Sequence, residues 1–186
     1  MVIYSINTPG GFMNKGFTIF ATALLLSACA SEPSINDAGQ VAQAVTVSHD
    51  DFEKKTTYEA PEMDGELGAG LKIYLRAIRL DNPQETIYQI YVYSFYPNPS
   101  PANYSRAYDN DGNQLKLLDL DTQVVSCDQY DCSYDEQVAI NVSKEYLIAH
   151  EAKGESFKIA GHGVSRVFYI PGAYIAGFMK AVNGNK

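Results

Sequence analysis

The chain has 186 residues, with 22 acidic against 14 basic side chains and a formal net charge of −8. That balance argues against a nucleic-acid partner, whose affinity rests on a basic face, and against electrostatic docking on anionic lipid. Hydrophobic residues make up 46% of the chain, enough to build a core in one domain of ordinary size.

From Met13 the sequence reads Met-Asn-Lys-Gly, then an apolar run from Phe17 to Leu26, then Ser27-Ala28-Cys29. Lys15 gives the positive start of a secretory signal. The run of about ten residues fits the apolar segment of such a signal. It is too short to span a membrane, which takes about 20 residues. Residues 1–12 carry no charge and contain Pro9-Gly10-Gly11, so Met13 is read as the true start. An ordinary signal peptide, cut after the small residues Ser27 and Ala28, is the alternative.

Leu26-Ser27-Ala28-Cys29 resembles the lipobox of bacterial lipoprotein precursors. The resemblance covers Met13 to Cys29 and nothing beyond. It implies that residues 1–28 are a signal peptide and that Cys29 is lipidated. One acyl chain binds a membrane marginally, whereas the two or three on such a cysteine bind firmly, at about 0.8 kcal/mol per buried CH₂. Ala30 is not the aspartate that retains such proteins at the inner membrane. For a Gram-negative source the resemblance therefore implies the outer membrane, with the body facing the periplasm.

Residues 29–43 are small and polar, including Ser31, Pro33, Ser34, Asn36, Gly39 and Gln40. They are expected to form the lipidated N-terminus and a flexible tether. Residues 44–186 are expected to form one β-rich domain. A first strand is read around Val41 to Val47, a helical turn over His49 to Lys55, and a strand at Thr56-Thr57-Tyr58. Pro61 to Gly70 reads as a loop. Leu71, Ile73, Leu75 and Ala77 alternate with polar residues, the period of a strand with one buried face. Asp81-Asn82-Pro83-Gln84 is turn chemistry. Thr86 to Tyr96 is rich in β-branched and aromatic residues and reads as a second strand.

Pro97, Pro99 and Pro101 are expected to break the sheet. Tyr104 to Tyr108, a turn at Asp109 to Gly112, and Gln114 to Leu120 form a hairpin signature. Gln123 to Cys127 and Cys132 to Val142 form another. Ser143 is a good N-cap for a short helix over 144–153 ended by Gly154. Phe157 to Ala160 and Val164 to Ile170 read as the last strands. After Pro171, residues Tyr174, Ile175, Phe178, Met179 and Val182 form one helical stripe. Gly177 within it permits a close backbone approach. Strands in succession with late helices predict an α+β fold, a mainly antiparallel sheet built from hairpins with the C-terminal helix packed on it.

With Cys29 acylated, Cys127 and Cys132 are left as a pair around a four-residue turn. In a periplasmic chain a structural disulfide is the expected reading. Redox chemistry favours a tighter Cys-x-x-Cys at a helix start. Asp109-Asn110-Asp111-Gly112-Asn113 invites a calcium reading, but an EF-hand aligned on Gly112 would start at Ala107 and end at Leu118, neither of them an acid. His49, His150 and His162 sit in no metal-ligand spacing. No nucleophile elbow or phosphate loop is present. The acidic run from Asp109 to Glu136 could attract a basic partner, although charged edges more often block unwanted strand pairing.

Tyrosine is the unusual component, with 14 in the chain. Tyr88, Tyr91, Tyr93 and Tyr96 lie in one expected strand and Tyr74 in its neighbour. They are the candidate binding face, for a glycan or small ligand through ring stacking; the alternative is that they line the core. The expected function is a non-enzymatic binding or structural module of the envelope, with another envelope protein as partner. Ligand binding at the tyrosines is the second reading and an envelope hydrolase the third.

Overall fold

The computed structural model describes residues 32–65 and 70–184. In chain order its elements are α1 (Ala38–Ala44), β1 (Thr46–Asp50), β2 (Lys55–Glu59), β3 (Met63–Asp64), β4 (Leu71–Leu80), β5 (Glu85–Asn98) and β6 (Arg106–Asp109). There follow β7 (Gln114–Cys127), β8 (Cys132–Val142), α2 (Lys144–His150), β9 (Glu155–Ala160), β10 (Ser165–Ile170) and α3 (Gly172–Gly184). The signal segment, Cys29 and Ala30 lie outside the described residues.

The strands pair antiparallel in the order β1-β2-β4-β5-β8-β7-β6-β9-β10, with β3 on the free part of the β4 edge. Alternation dictates the inner face. Leu71, Ile73, Leu75 and Ala77 of β4 lie opposite Ser94, Val92, Ile90 and Tyr88 of β5. Val138 and Ile140 of β8 continue the row. Residues from both ends of the sheet, Tyr58 of β2 and Phe168 and Ile170 of β10, belong to the same core. A sheet whose two ends share one core must curl, and this fold is accordingly an α+β half-barrel.

The expected stripe of α3 packs into that core. Tyr174, Ile175, Phe178, Met179 and Val182 are each at most 1% exposed. Each such side chain contributes about 1.5–3 kcal/mol on burial, an upper estimate for a compact unfolded chain. Pro171 opens the helix, its carbonyl accepting the N–H groups of Tyr174 and Ile175. At the other end the Arg79 guanidinium donates to the Val182 carbonyl at 2.7 Å. Carbonyls there lack helical partners and carry the negative end of the helix dipole.

Several expectations are corrected. The stretch around Val41 is helix, not strand. Asp37 caps it by accepting from the Gly39 and Gln40 N–H groups, and its alanines and glutamines favour helix. Residues 38–43 of the expected tether are thus part of the folded body, with Val41 fully buried against Gly177. Residues 51–54 form a hairpin turn, not a helical one. The Asp50 carboxylate accepts from the Phe52 and Glu53 N–H groups, and Lys54 takes the left-handed conformation.

Pro97 lies inside β5, opposite Ser133 of β8. The β4 pairing ends at Ser94, so among the described residues no strand partner lies beside Pro97 on that side of β5 and its missing N–H costs no ladder bond there. Residues 114–127 form one strand where two were expected, because irregularities at Leu120 and Val125 absorb the breaks in alternation. The Ser143-capped helix α2 ends at His150, short of Lys153, and Gly154 follows with φ +73°.

Candidate functional site

Cys127 and Cys132 form a disulfide and face each other in the last pair of the β7–β8 hairpin. For so small a loop, constraint of the unfolded chain contributes about 2 kcal/mol. The turn between them closes on Asp128, whose carboxylate accepts from the Tyr130 and Asp131 N–H groups. Those backbone bonds hold its carboxyl below the usual aspartate range.

The five candidate tyrosines do not share a face. Strand alternation sends Tyr88 and Tyr96 inward with Ile90, Val92 and Ser94, and leaves Tyr91 and Tyr93 outward, with Tyr74 beside Tyr91 on β4. Tyr88 is buried in the core. Tyr96 is half-buried, donating from its hydroxyl to Glu136 Oε1 at 2.7 Å and accepting from the Ala102 N–H at 2.7 Å.

Outside, Tyr74 and Tyr91 stack with ring centroids 4.7 Å apart. The Arg76 guanidinium lies 4.8 Å from the Tyr91 ring centroid. Arg76 also donates to Gln89 Oε1, and Gln89 donates to Asn141 Oδ1 at 2.9 Å. The Tyr91 hydroxyl bonds Gln137. Burial pushes the Tyr74 and Tyr91 hydroxyls above the usual tyrosine range. These rings are engaged with neighbouring side chains. Tyr93 is half-buried like Tyr74 and Tyr91, and Phe95 is the exposed aromatic of this outer face.

The three histidines lie in separate surroundings. His49 Nδ1 is 3.0 Å from Thr56 Oγ1, and its Nε2 is 3.4 Å from Asp51 Oδ1. This has the atoms of a hydroxyl–imidazole–carboxylate relay, yet the carboxylate is 84% exposed. Catalytic relays depend on a fixed, water-excluded carboxylate. His162 lies in the exposed Gly161-His162-Gly163 turn, 3.4 Å from the Asn103 amide.

His150, at the end of α2, borders a cavity of about 390 Å³ lined by Asn110, Asp111, Lys153, Glu155 and Tyr169. Its Nε2 meets Glu155 Oε2 at 2.6 Å, and its Nδ1 meets the Tyr146 carbonyl at 2.7 Å. The other Glu155 oxygen accepts from the Asn110 and Ser156 N–H groups. Both carboxylate oxygens are therefore engaged by the chain itself, and the cluster ties the β6–β7 turn to α2. Among the described residues no group of three or more His, Cys, Asp or Glu is placed to hold a metal ion. No helix there is long and apolar enough to cross a membrane.

A further feature falls within the acidic run from Asp109 to Glu136, whose carboxylates could attract a basic partner or guard an edge. β6 pairs with β7 only at Gln114 and Leu115. From Lys116 to Cys127, β7 has β8 on one side and, among the described residues, no strand on the other. This arm carries Leu120, Val124, Val125 and Tyr130, which are 43%, 61%, 56% and 79% exposed. Asp119, Asp121, Asp128 and Asp131 stand among them. The signal in the sequence was the adjacent pair Val124-Val125, which fits neither face of a regular half-buried strand. Comparison of the chain with protein-family models, with curated proteins and with solved structures finds no match.

Proposed function

We propose that the protein is a lipoprotein of the bacterial envelope, anchored through Cys29 and carrying a β-rich body that binds another envelope protein. The anchor rests on the sequence Leu26-Ser27-Ala28-Cys29 at the end of the apolar run. With Ala30 behind the cysteine, the outer membrane is its place and the periplasm the side its body faces. The observation that carries the binding role is the β7–β8 arm, where four exposed apolar side chains sit among acids. Exposed apolar groups rimmed by polar ones mark contact surfaces. The separated histidines and the mutually engaged Tyr74 and Tyr91 favour this role over a hydrolase or a glycan platform.

Radiolabelled palmitate fed to cells making the wild type and Cys29→Ser, followed by separation of inner and outer membranes, tests the anchor. The wild type is expected to take up label and sediment with the outer membrane, and the variant to do neither. An unlabelled wild type would overturn the anchor. Photo-cross-linking residues placed at several exposed positions test the binding role, and the absence of a protein adduct from every position would overturn it.

A further inference from the structure

Among the described residues, the second edge of β7 leaves alternate N–H and C=O groups without strand partners from Lys116 to Cys127. Proteins commonly protect such an edge with charges, bulges or a cover. Here the two irregularities are occupied by apolar residues, Leu120 and Val125, and Val124 beside them is also exposed. An edge that only had to repel other strands would gain nothing from exposed valines. Asp119 lies on the concave side with Leu117, and Asp121 on the convex side with Leu118, so acids flank the edge on both faces. Between Asp109 and Glu136 the only basic residue is Lys116. Two copies of this edge would bring like charges together, which opposes self-pairing.

We infer that this edge accepts an extended, basic segment of a partner protein as an added β-strand. Main-chain hydrogen bonds to β7 supply the attachment. Lysine or arginine side chains of the segment face Asp119 and Asp121, and its apolar side chains cover Val124 and Val125. The inference rests on the binding role proposed above and adds the place of contact and the chemistry of the partner.

The test uses the full chain in a non-ionic detergent and two fluorescein-labelled eight-residue peptides, one with two adjacent lysines, which project to opposite faces of a strand, flanked by valines, and one with glutamates in place of the lysines. Fluorescence anisotropy is expected to show binding of the basic peptide and none of the acidic one. The variant Asp119→Lys/Asp121→Lys changes two side chains outside the core, and circular dichroism confirms its fold. It is expected to weaken binding of the basic peptide about tenfold, close to 1.4 kcal/mol for two exposed charge pairs. Amide hydrogen exchange is expected to slow at alternate residues between Lys116 and Cys127. Equal binding of both peptides, unchanged affinity in the variant, or unslowed β7 amides would overturn strand addition. The broader binding role would survive that result if cross-links formed from other faces, and would fail with it if none formed anywhere.

Discussion

Tyr74 on β4 and Tyr91 on β5 are directly opposed in register and stack with ring centroids 4.7 Å apart. The outer face of the central strands is therefore held by its own side chains, with Arg76, Gln89 and Asn141 continuing the row. Stacked pairs of this kind contribute about 0.5–1.5 kcal/mol beyond the area they bury. A double-mutant cycle of Tyr74→Ala and Tyr91→Ala, read by urea unfolding, is expected to return a coupling in that range. Additive single changes would show that the rings are adjacent without stabilising each other.

Gly177 sets two effects against each other. In an isolated helix, glycine to alanine gains about 1 kcal/mol. Here the added Cβ would lie 2.6 Å from the Ala38 carbonyl oxygen and 2.7 Å from Val41 Cβ. Both belong to α1, and one is backbone. The clash outweighs the propensity, since overpacking costs about 1–3 kcal/mol. Gly177→Ala is expected to lower the melting temperature, while Gly184→Ala, with open space around it, leaves it nearly unchanged. A Gly177→Ala protein as stable as the wild type would mean that α1 does not press on α3 as described.

The α3 stripe and the 71–77 alternation were legible in the sequence because each follows one period over enough residues to leave one answer. The close approach at Gly177 was legible in kind but not in partner. Nothing in residues 38–44 says that Val41 docks there, and a short apolar pattern serves helix and strand alike. The tyrosine cluster admits both a binding face and a core lining when read by composition, and strand parity divides it between the two. Tyr88 and Tyr96 differ from Tyr91 and Tyr93 only by odd and even position, and that parity sends two of them inward. The acidic run from Asp109 to Glu136 and the adjacent Val124-Val125 hint at an edge, but which strand lies open, and over what length, is not legible. That edge follows from β6 being only four residues long, pairing β7 at Gln114 and Leu115 while its other edge carries β9, a long-range arrangement that no local pattern encodes.

Glu136 is a carboxylate in the interior, 1% exposed. Its Oε1 accepts from the Tyr96 hydroxyl and from the Asn103 N–H at 3.0 Å, holding the 99–104 loop where Asn103 has φ +45°. Its Oε2 is buried with no hydrogen-bond partner among the described residues. The bonds at Oε1 need an acceptor and not a charge. Glu136→Gln keeps the acceptor and is expected to change unfolding free energy by less than about 1 kcal/mol. Glu136→Ala leaves the Asn103 N–H and the Tyr96 hydroxyl without their acceptor and is expected to cost about 1–3 kcal/mol, with faster proteolysis in the 99–104 loop. A large loss in Glu136→Gln would show that the negative charge itself is required.

The pH dependence follows from two opposite sets of shifts. Burial is the main cause that raises the hydroxyls of Tyr74, Tyr96, Tyr146 and Tyr174 above the usual tyrosine range. A raised folded-state value gives stability that is complete below the unfolded tyrosine value near 10 and is lost as pH rises beyond it. Backbone hydrogen bonds lower the carboxyls of Asp37, Asp50 and Asp128. At Asp109 burial pushes upward, but bonds from the Asn113 side chain and backbone outweigh it and leave the group lowered. Those carboxylates give stability that is present above the unfolded aspartate value near 4 and is lost as pH falls. Melting temperature measured by circular dichroism is therefore expected to be flat across the neutral range and to fall at both ends. Phenolate absorbance at 295 nm should appear partly above pH 10 and partly only with unfolding. Ionisation of all the tyrosines in one step near pH 10, with native circular dichroism retained, would contradict the burial that places Tyr96 and Tyr174 inside the half-barrel.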